Sequence, residues 1–362
     1  MLYEQPRTRH TASPAGAIRQ GFAALIAGWW QIAQAGIATY GLAEIGYLLA
    51  RLSAGERWRW IAFANNLIPW MAFLSLGLGG IALVSRRRWL LIALQLPMVI
   101  AFLAGYGDRF WPRHPAALAE HQLHIRVATF NVAAHSDPAR IADAIADLDA
   151  DIVGLQELDQ SHAAALNQWL VDAYPYRLMY APSEGDRHGV GLLSRYPILV
   201  EDRFYPCRRC FRSLRVVVDA DGSPVAVYLI HPSAPRNSWS PWAYNAVERA
   251  RQLSYLRRAL RIEPYPALVL CDCNMSDQSD DYRALDSLMD DSFREAGRGL
   301  GFTFPAGSNY PIPVPFPVVR IDYIWHSAHF VPLDAAVAGD SGTSDHYPVV
   351  ATLALMEERA TE

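Results

Sequence analysis

The sequence predicts an α/β domain carried behind a helical membrane region. Three observations predict it: apolar residues crowd the first third of the 362-residue chain, the hydrophobic period changes after Leu123, and polar residues recur at the ends of the strands that follow.

Composition sets the frame. The hydrophobic fraction is 52%, above that of an ordinary soluble domain, and the excess is uneven. Residues 1–120 hold 11 Arg against 5 acidic residues, whereas residues 121–362 hold 21 Arg against 31 acidic residues, a net charge of −10. All 32 basic residues are Arg, a compositional habit with no mechanistic reading.

The membrane region is read over 1–106, with about three transmembrane helices, and a juxtamembrane linker over 107–122. Its apolar stretches run from about Gly21 to Ala50, Trp60 to Val84 and Trp89 to Tyr106, separated by Arg51–Arg59 and by Arg86, Arg87 and Arg88. A spanning helix needs roughly 20 apolar residues, and the last two stretches reach that length without an internal charge. The first carries Gln31, Gln34 and Glu44, yet its Trp29, Trp30, Tyr40 and Tyr47 suit the headgroup zones. A buried helical hairpin of a soluble domain is the alternative, and a cleaved signal peptide fits worse because the apolar material runs on too far. Three spans put Arg7, Arg9, Arg19 and Arg86–Arg88 on one side, against Arg51, Arg57, Arg59, Arg109 and Arg113 on the other. That balance leans towards a cytoplasmic N-terminus and an extracytoplasmic C-terminal domain in a plasma membrane.

The third segment, 123–356, reads as the catalytic domain. "LHIRVATF" (Leu123–Phe130) alternates like a strand, Asp137–Leu148 places Ile141, Ala144, Ile145 and Leu148 at helical spacing, and Asp151–Glu157 is a strand again. Further strands are expected at Gly189–Leu193, Leu214–Val218, Val225–Ile230, Leu268–Cys271, Arg320–Trp325 and Val349–Leu355. Trp242–Arg261 reads as a helix with Ala246, Ala250, Leu253, Leu256 and Leu260 on one face and Arg249, Arg251, Arg257, Arg258 and Arg261 mostly elsewhere. Alternate prolines between Tyr310 and Val319 force an extended loop there.

"LVLCDCNMSD" (Leu268–Asp277) raises a question of chemistry. A Cys-x-Cys pair could ligate a soft metal or belong to a redox site, but the apolar run before it reads as a buried strand. Alternation puts Cys271 and Cys273 on one face, to be packed, and Asp272 and Asn274 on the other, to be presented. Other strand ends carry similar groups: Asn131, Glu157, His231, Asp322, and the pair Asp345 and His346. Singly each is an ordinary turn residue; together they describe a crevice held by a scaffold.

The ordered set Phe130-Asn131, Leu155-Gln156-Glu157, Ile230-His231-Pro232, Cys271-Asp272-Cys273-Asn274, Arg320-Ile321-Asp322-Tyr323-Ile324 and Ser344-Asp345-His346-Tyr347-Pro348 resembles the endonuclease/exonuclease/phosphatase superfamily, the deoxyribonuclease-I-like fold, in a membrane-anchored bacterial form. "GVGLLSRYPI" (Gly189–Ile198) and "GFTFP" (Gly301–Pro305) extend the match to about Leu123–Leu355. The resemblance implies two mixed β-sheets packed together and flanked by helices, a four-layer α/β sandwich. Where the family usually has Gly-Asp-Phe-Asn, both variable positions here are Cys, which assigns the chemistry to Asp272 and Asn274. After Asn131 comes Val132-Ala133-Ala134, so an acidic ligand that some nuclease members carry there is missing.

A phosphodiester is anionic, so a catalyst must neutralise its oxygens, deprotonate a water in line with the leaving group and help that group depart. Mg²⁺ binds through one or two carboxylates plus the substrate phosphate, with Mn²⁺ as a substitute. Glu157 is the expected first ligand, with Asn131 adjoining and Asp345 as a second. By resemblance Asp272 activates the attacking water, Asn274 donates to the phosphoryl oxygen, His346 contacts the phosphate while Asp322 holds its ring, and His231 serves the leaving oxygen.

Cys207 and Cys210 could be a disulfide, half a metal site or free thiols. Arg208, Arg209, Arg212 and Arg215 could cradle an anionic headgroup or form a solvated loop. Trp239, Trp242, Tyr244, Tyr310 and Phe316 could dip into a headgroup layer or pack as ordinary loop residues. The acidic catalytic half counts against a non-specific nuclease, since nucleic-acid binding runs on basic surface. The sequence therefore points to a membrane-anchored, Mg²⁺-dependent phosphodiesterase or phosphatase whose partners are the bilayer and a lipid-linked or small phosphoester. A membrane-tethered nuclease and a non-catalytic subunit of a membrane complex are the alternatives.

Overall fold

The structure, a computed structural model, describes residues 14–111, 122–183, 187–206, 212–236, 240–306 and 314–356, with backbone alone over 14–18. Cys207, Cys210, Arg208, Arg209, Trp239 and Tyr310 lie outside the described residues.

The N-terminal region consists of α1 (Pro14–Ala54), α2 (Arg59–Ala64), α3 (Ile68–Ala82) and α4 (Arg88–Tyr106). One compact unit takes residues up to Ser53 together with Pro69–Phe102. Its polar side chains turn inward in pairs: Ser75 donates to Glu44 Oε2 at 2.6 Å and Ser85 to Gln34 Oε1 at 2.9 Å, while Gln95 Nε2 donates to Ile37 O at 3.1 Å. Glu44 Oε2 and Gln34 Oε1, two of the polar groups that interrupt the first apolar stretch, thereby gain partners. Phe22, Leu25, Trp29, Leu90 and Ile100 are left on the outside of this unit. Among the described residues two helices are long and apolar enough to cross a membrane, Arg59–Ala82 and Arg88–Phe110, and α1 is not one of them.

The second unit takes Ala54–Ile68 and everything from Leu103 onward. Its strands are β1 (His124–Asn131), β2 (Ile152–Gln156), β3 (Tyr176–Tyr180), β4 (Val190–Ser194), β5 (Ile198–Phe204) and β6 (Ser213–Ala220). They continue with β7 (Ser223–Ile230), β8 (Ala267–Asp272), β9 (Asp290–Asp291), β10 (Asp322–His326), β11 (Phe330–Val337) and β12 (Val349–Leu355). One mixed sheet runs β11-β12-β1-β2-β4-β3 and the other β5-β6-β7-β8-β10-β9. The helices of this domain are α5 (Pro138–Asp147), α6 (Gln160–Trp169), α7 (Val247–Leu260), α8 (Asp280–Asp286) and α9 (Ser292–Ala296).

Burial explains the four layers. Inward residues of both sheets, among them Ile125, Val127, Leu192, Val216, Leu229, Leu268 and Leu270, form the central core. The sheets approach so closely that a Cβ on Gly154 would lie 2.9 Å from Leu270 Cβ, which is why that β2 position is glycine. On the outer face of the first sheet, Ile141, Ala144, Ile145 and Leu148 pack from α5, whose start is fixed by Pro138 and by Asp137 accepting from the Ala139 amide. Leu253 and Leu256 from α7 and Tyr282 and Leu285 from α8 cover the second sheet.

Two local expectations are corrected and one open alternative is decided. Arg249 is not on the solvent face of α7 but buried at 1% exposure, because Asp281, Tyr244 and the Asn274 carbonyl surround its guanidinium. Tyr244 takes the packed alternative: it is buried with its ring edge against Phe63. Arg215 is no anion cradle, since Glu263 already holds it at 2.6 and 2.8 Å.

Candidate active site

Topology gathers the site. In the parallel pairings β1 with β2 and β7 with β8, the C-terminal ends lie side by side, bringing Asn131 beside Gln156 and Ile230 beside Cys271. The antiparallel strands β10 and β12 begin at that same end, so Asp322 lies directly across from Asp272, and His346 precedes the start of β12. Each polar residue that follows or ends an apolar run is therefore delivered to one rim shared by both sheets.

Asp272 is the hub. Its Oδ2 accepts from Asn131 Nδ2 at 2.9 Å and lies 3.3 Å from His231 Nε2 and 3.8 Å from His346 Nε2. Its Oδ1 accepts from the Asn274 amide at 3.1 Å. His346 Nδ1 is 2.9 Å from Asp322 Oδ2, and since a carboxylate can only accept, Nδ1 carries the proton. Ser344 donates to the Asn131 carbonyl at 2.6 Å and accepts from the His346 amide at 3.1 Å, tying the end of β1 to the segment that leads into β12.

Glu157 sits at the edge of this cluster, its Oε1 4.0 Å from His231 Nε2. It adopts a φ of +55°, a left-handed conformation uncommon for a side-chain-bearing residue, and Asn274 does the same at +50°. Backbone strain thus falls on two of the residues singled out by sequence. Asn274 is held in that turn by its Nδ2 donating to Pro232 O at 3.0 Å and by Arg249 Nη1 donating to its carbonyl at 2.7 Å. Sequence reasoning missed Arg249 because an arginine among five on an amphipathic helix carries no signal that it is the buried one.

Burial and charge set the protonation states. Burial pushes the Asp272 carboxyl up, but His346, His231 and the Asn131 amide outweigh it and hold it below the usual carboxylate range. Asp322 goes the other way, raised by its burial and by Asp272, because one imidazolium cannot neutralise two buried carboxylates fully. Burial disfavours charge on His346, yet Asp322 and Asp272 raise it to about 10. His231 is also raised, with burial opposing and Asp272 and Glu157 prevailing. The site is an ionised carboxylate between two imidazolium-prone histidines.

Asp272, Asp322 and His346 place possible ligand atoms within 4.8 Å of one another, but a protonated His346 has no free lone pair, so the oxygen donors that fit a divalent cation are the carboxylates. The two acids differ in openness from the rest: the side chains of Glu157 and Asp345 are 14% and 33% exposed, against 2% or less for Asp272 and Asp322. Asp345 Oδ1 lies 4.0 Å from His346 Nε2. All eight residues picked from sequence border this region, though Asn131 uses its Nδ2 on Asp272 and its Oδ1 on the Ala133 amide. Cys271 and Cys273 lie on the packed face, as alternation requires, and are joined to each other as a disulfide, a pairing the sequence reading did not foresee.

Comparison with known proteins agrees with this fold. No curated protein matches the chain in sequence. An endonuclease/exonuclease/phosphatase from Beutenbergia cavernae is 24% identical, with a TM-score of 0.52 over 65% of this chain and 72% of its own. TDP2 from D. rerio, in a structure with a single strand DNA product, is 20% identical, with a TM-score of 0.54 over 64% of this chain and 98% of its own. The mannosyl-6-phosphatase of Bacteroides thetaiotaomicron is 18% identical, with a TM-score of 0.50 over 63% of this chain and 99% of its own. At these identities the likeness is one of fold. The model of the Endonuclease/Exonuclease/phosphatase family matches residues 128–346, from the middle of β1 to His346, and the chain belongs to that family of phosphoester hydrolases.

Proposed function

We propose that the chain is a membrane-anchored, Mg²⁺-dependent phosphodiesterase or phosphatase acting on a lipid-linked or small phosphoester. The observation that carries the hydrolytic part is the convergence of Asn131, His231 and His346 on the single carboxylate of Asp272. The two apolar helices and the outward apolar residues of the first unit support the anchor. An extracytoplasmic catalytic domain is the orientation that the arginine distribution favours when α1 spans as well; two spans alone would put both chain ends, with eight arginines against three, on the cytoplasmic side.

Each group has a task in that reaction. Asp272, kept ionised, orients the attacking water and accepts its hydrogen bond. His346 stays protonated through neutral pH and binds a phosphoryl oxygen, with Asp322 fixing its ring. His231 donates to the departing oxygen, and Asn274, braced by Arg249 and Pro232, offers an amide hydrogen to the phosphate. Glu157, with Asp345 as the second open acid and Asn131 adjoining, would hold the cation. That ion, when bound, neutralises phosphate charge and lowers the pKa of a coordinated water. The net charge of −10 over residues 121–362 argues against a nuclease, although the DNA-bound relative keeps that reading worth an assay arm.

The test is a panel of a chromogenic phosphodiester, a phosphomonoester, phospholipids and DNA, each with Mg²⁺ and with chelator, using detergent-purified chain. Turnover that needs the metal and disappears in Asp272→Ala is expected. Metal-dependent cleavage of DNA alone would replace the substrate reading with the nuclease, and no turnover of any phosphoester would favour a non-catalytic subunit.

A further inference from the structure

We infer that the second unit carries a binding groove for an anionic phospholipid headgroup, separate from the hydrolytic centre. It is a shallow depression of about 480 Å³ lined by Arg57, Trp58, Arg59, Trp60, Pro241 and Trp242. The inference rests on the membrane reading above and deepens it.

Two distant pieces of chain build the groove. The segment Ala54–Ile68, between α1 and α3, belongs to the hydrolase unit and is clamped onto it. Gly55, at a φ of +56°, lets its backbone pass so near Asp280 that a Cβ would lie 2.9 Å from Oδ2, and the Glu56 amide donates to that same oxygen at 2.9 Å. Phe63 and Asn66 pack on Tyr244 in the loop that leaves His231. These anchors fix residues 57–60 against Pro241 and Trp242 of that loop.

The chemistry of the lining is one-sided. It has two guanidinium groups and no carboxylate, because the one acid of the segment, Glu56, turns away to accept from Asn65 at 2.6 Å. Among the described residues neither Arg57 nor Arg59 has an ion-pair partner, so both are available to a phosphate, which a guanidinium binds in bidentate fashion. Trp58 and Trp60 lie with ring centroids 5.9 Å apart, and Trp58 and Trp242 are 52% and 79% exposed. Exposed indoles beside arginines match the boundary between headgroups and acyl chains, where the ring enters and the N–H stays wet. Ile68, the first residue of the apolar helix α3, is only eight residues past Trp60. A groove of this charge, in a segment whose chain runs on into a helix of this character, fits a phospholipid better than a soluble anion, for which three tryptophans serve no purpose. Because the same loop begins at His231, a seated lipid would steady the loop that carries the leaving-group histidine.

Native mass spectrometry of the full chain, released from micelles holding equal phosphatidylglycerol and phosphatidylcholine, tests the groove. The chain is expected to retain phosphatidylglycerol preferentially. The Arg57→Ala/Arg59→Ala variant should retain it about 30-fold less, the loss that two arginines at an anionic surface give. Trp242→Ala should weaken retention of both lipids, while Arg251→Ala, on the exposed side of α7, should change nothing. Equal retention by wild type and the double variant overturns the inference, as does displacement of the lipid by equimolar glycerol phosphate, which would make the ligand a soluble phosphate. Alkaline carbonate extraction separates the two levels: a chain that stays in the membrane but shows no headgroup preference refutes the groove alone, and a chain that washes off refutes the anchor with it.

Discussion

Asp322 lies directly across the β8–β10 ladder from Asp272, and His346 bridges the two carboxylates, Nδ1 at 2.9 Å from Asp322 and Nε2 at 3.8 Å from Asp272. The pairing register of two strands thus sets two acids 50 residues apart in the chain across from each other, and the segment before β12 of the other sheet brings an imidazole to both. A cation held this way is oriented before substrate arrives, which avoids reorganisation during the reaction.

Asp322→Asn is expected to remove the larger of the two charges that sustain the His346 proton. Its pKa then falls from about 10, and the alkaline limb of the kcat/KM profile moves to lower pH. Stability follows the same sign. A histidine raised from 6.5 to about 10 stabilises the fold fully below pH 6.5 and loses that contribution as pH rises through about 10. Denaturant unfolding of wild type and variant should therefore differ most below about pH 6.5 and converge above about pH 10; an unmoved alkaline limb would sink the assignment.

Asp272→Ala should lower kcat by at least about 10², the usual scale for a positioned proton acceptor. Asn131→Ala removes a hydrogen bond to a charged group and should cost roughly tenfold or more with KM nearly unchanged. Steady-state kinetics on the phosphodiester of the panel reads both, with circular dichroism to confirm that the variants fold.

Chelation should abolish activity and added Mg²⁺ should restore it. Glu157→Ala should raise the Mg²⁺ concentration for half-maximal rate by more than about tenfold, because it deletes one of the two carboxylates open to a cation beside the hub. A titration that leaves that concentration unchanged would move the metal to Asp272, Asp322 and His346.

Below the site, Arg320 holds Asp291 at 2.6 and 3.0 Å and reaches Asp277 at 3.5 Å, while Arg109 holds Asp277 at 2.8 Å. All four are buried, so Arg320→Met leaves Asp291 without its bidentate partner and should destabilise by about 3–5 kcal/mol. Burial raises both aspartates, but the arginines prevail and lower them from 3.8. Their contribution is present above that value and is lost as pH falls below it. Near-ultraviolet circular dichroism during acid titration should show wild-type packing failing below about pH 3.8, and Arg320→Met failing at higher pH.

Edge and interior strands explain which parts of the fold were readable. The eight strands expected from hydropathy are the eight interior strands of the two sheets. The missed ones, β3, β5, β9 and β11, are the four edges. An interior strand is covered on both faces and writes a continuous apolar run, as Ala267–Asp272 does with every residue buried. An edge strand such as Ile198–Phe204 is half open to solvent, and its mixed pattern resembles a loop.

The sequence alone determined which residues could do chemistry, because strand alternation and the punctuation of apolar runs are local, and local patterns fix which face or end each side chain takes. Tertiary structure decided which of them meet: the Asn131–Asp272 hydrogen bond spans 141 residues, and no periodicity encodes a contact at that separation. It also decided that Arg249, one of five arginines on a helix, is the one inside bracing Asn274, and that Ala54–Ile68 joins the hydrolase unit and not the apolar one. Both outcomes depend on groups finding partners from elsewhere in the chain, a condition met only when the chain has folded.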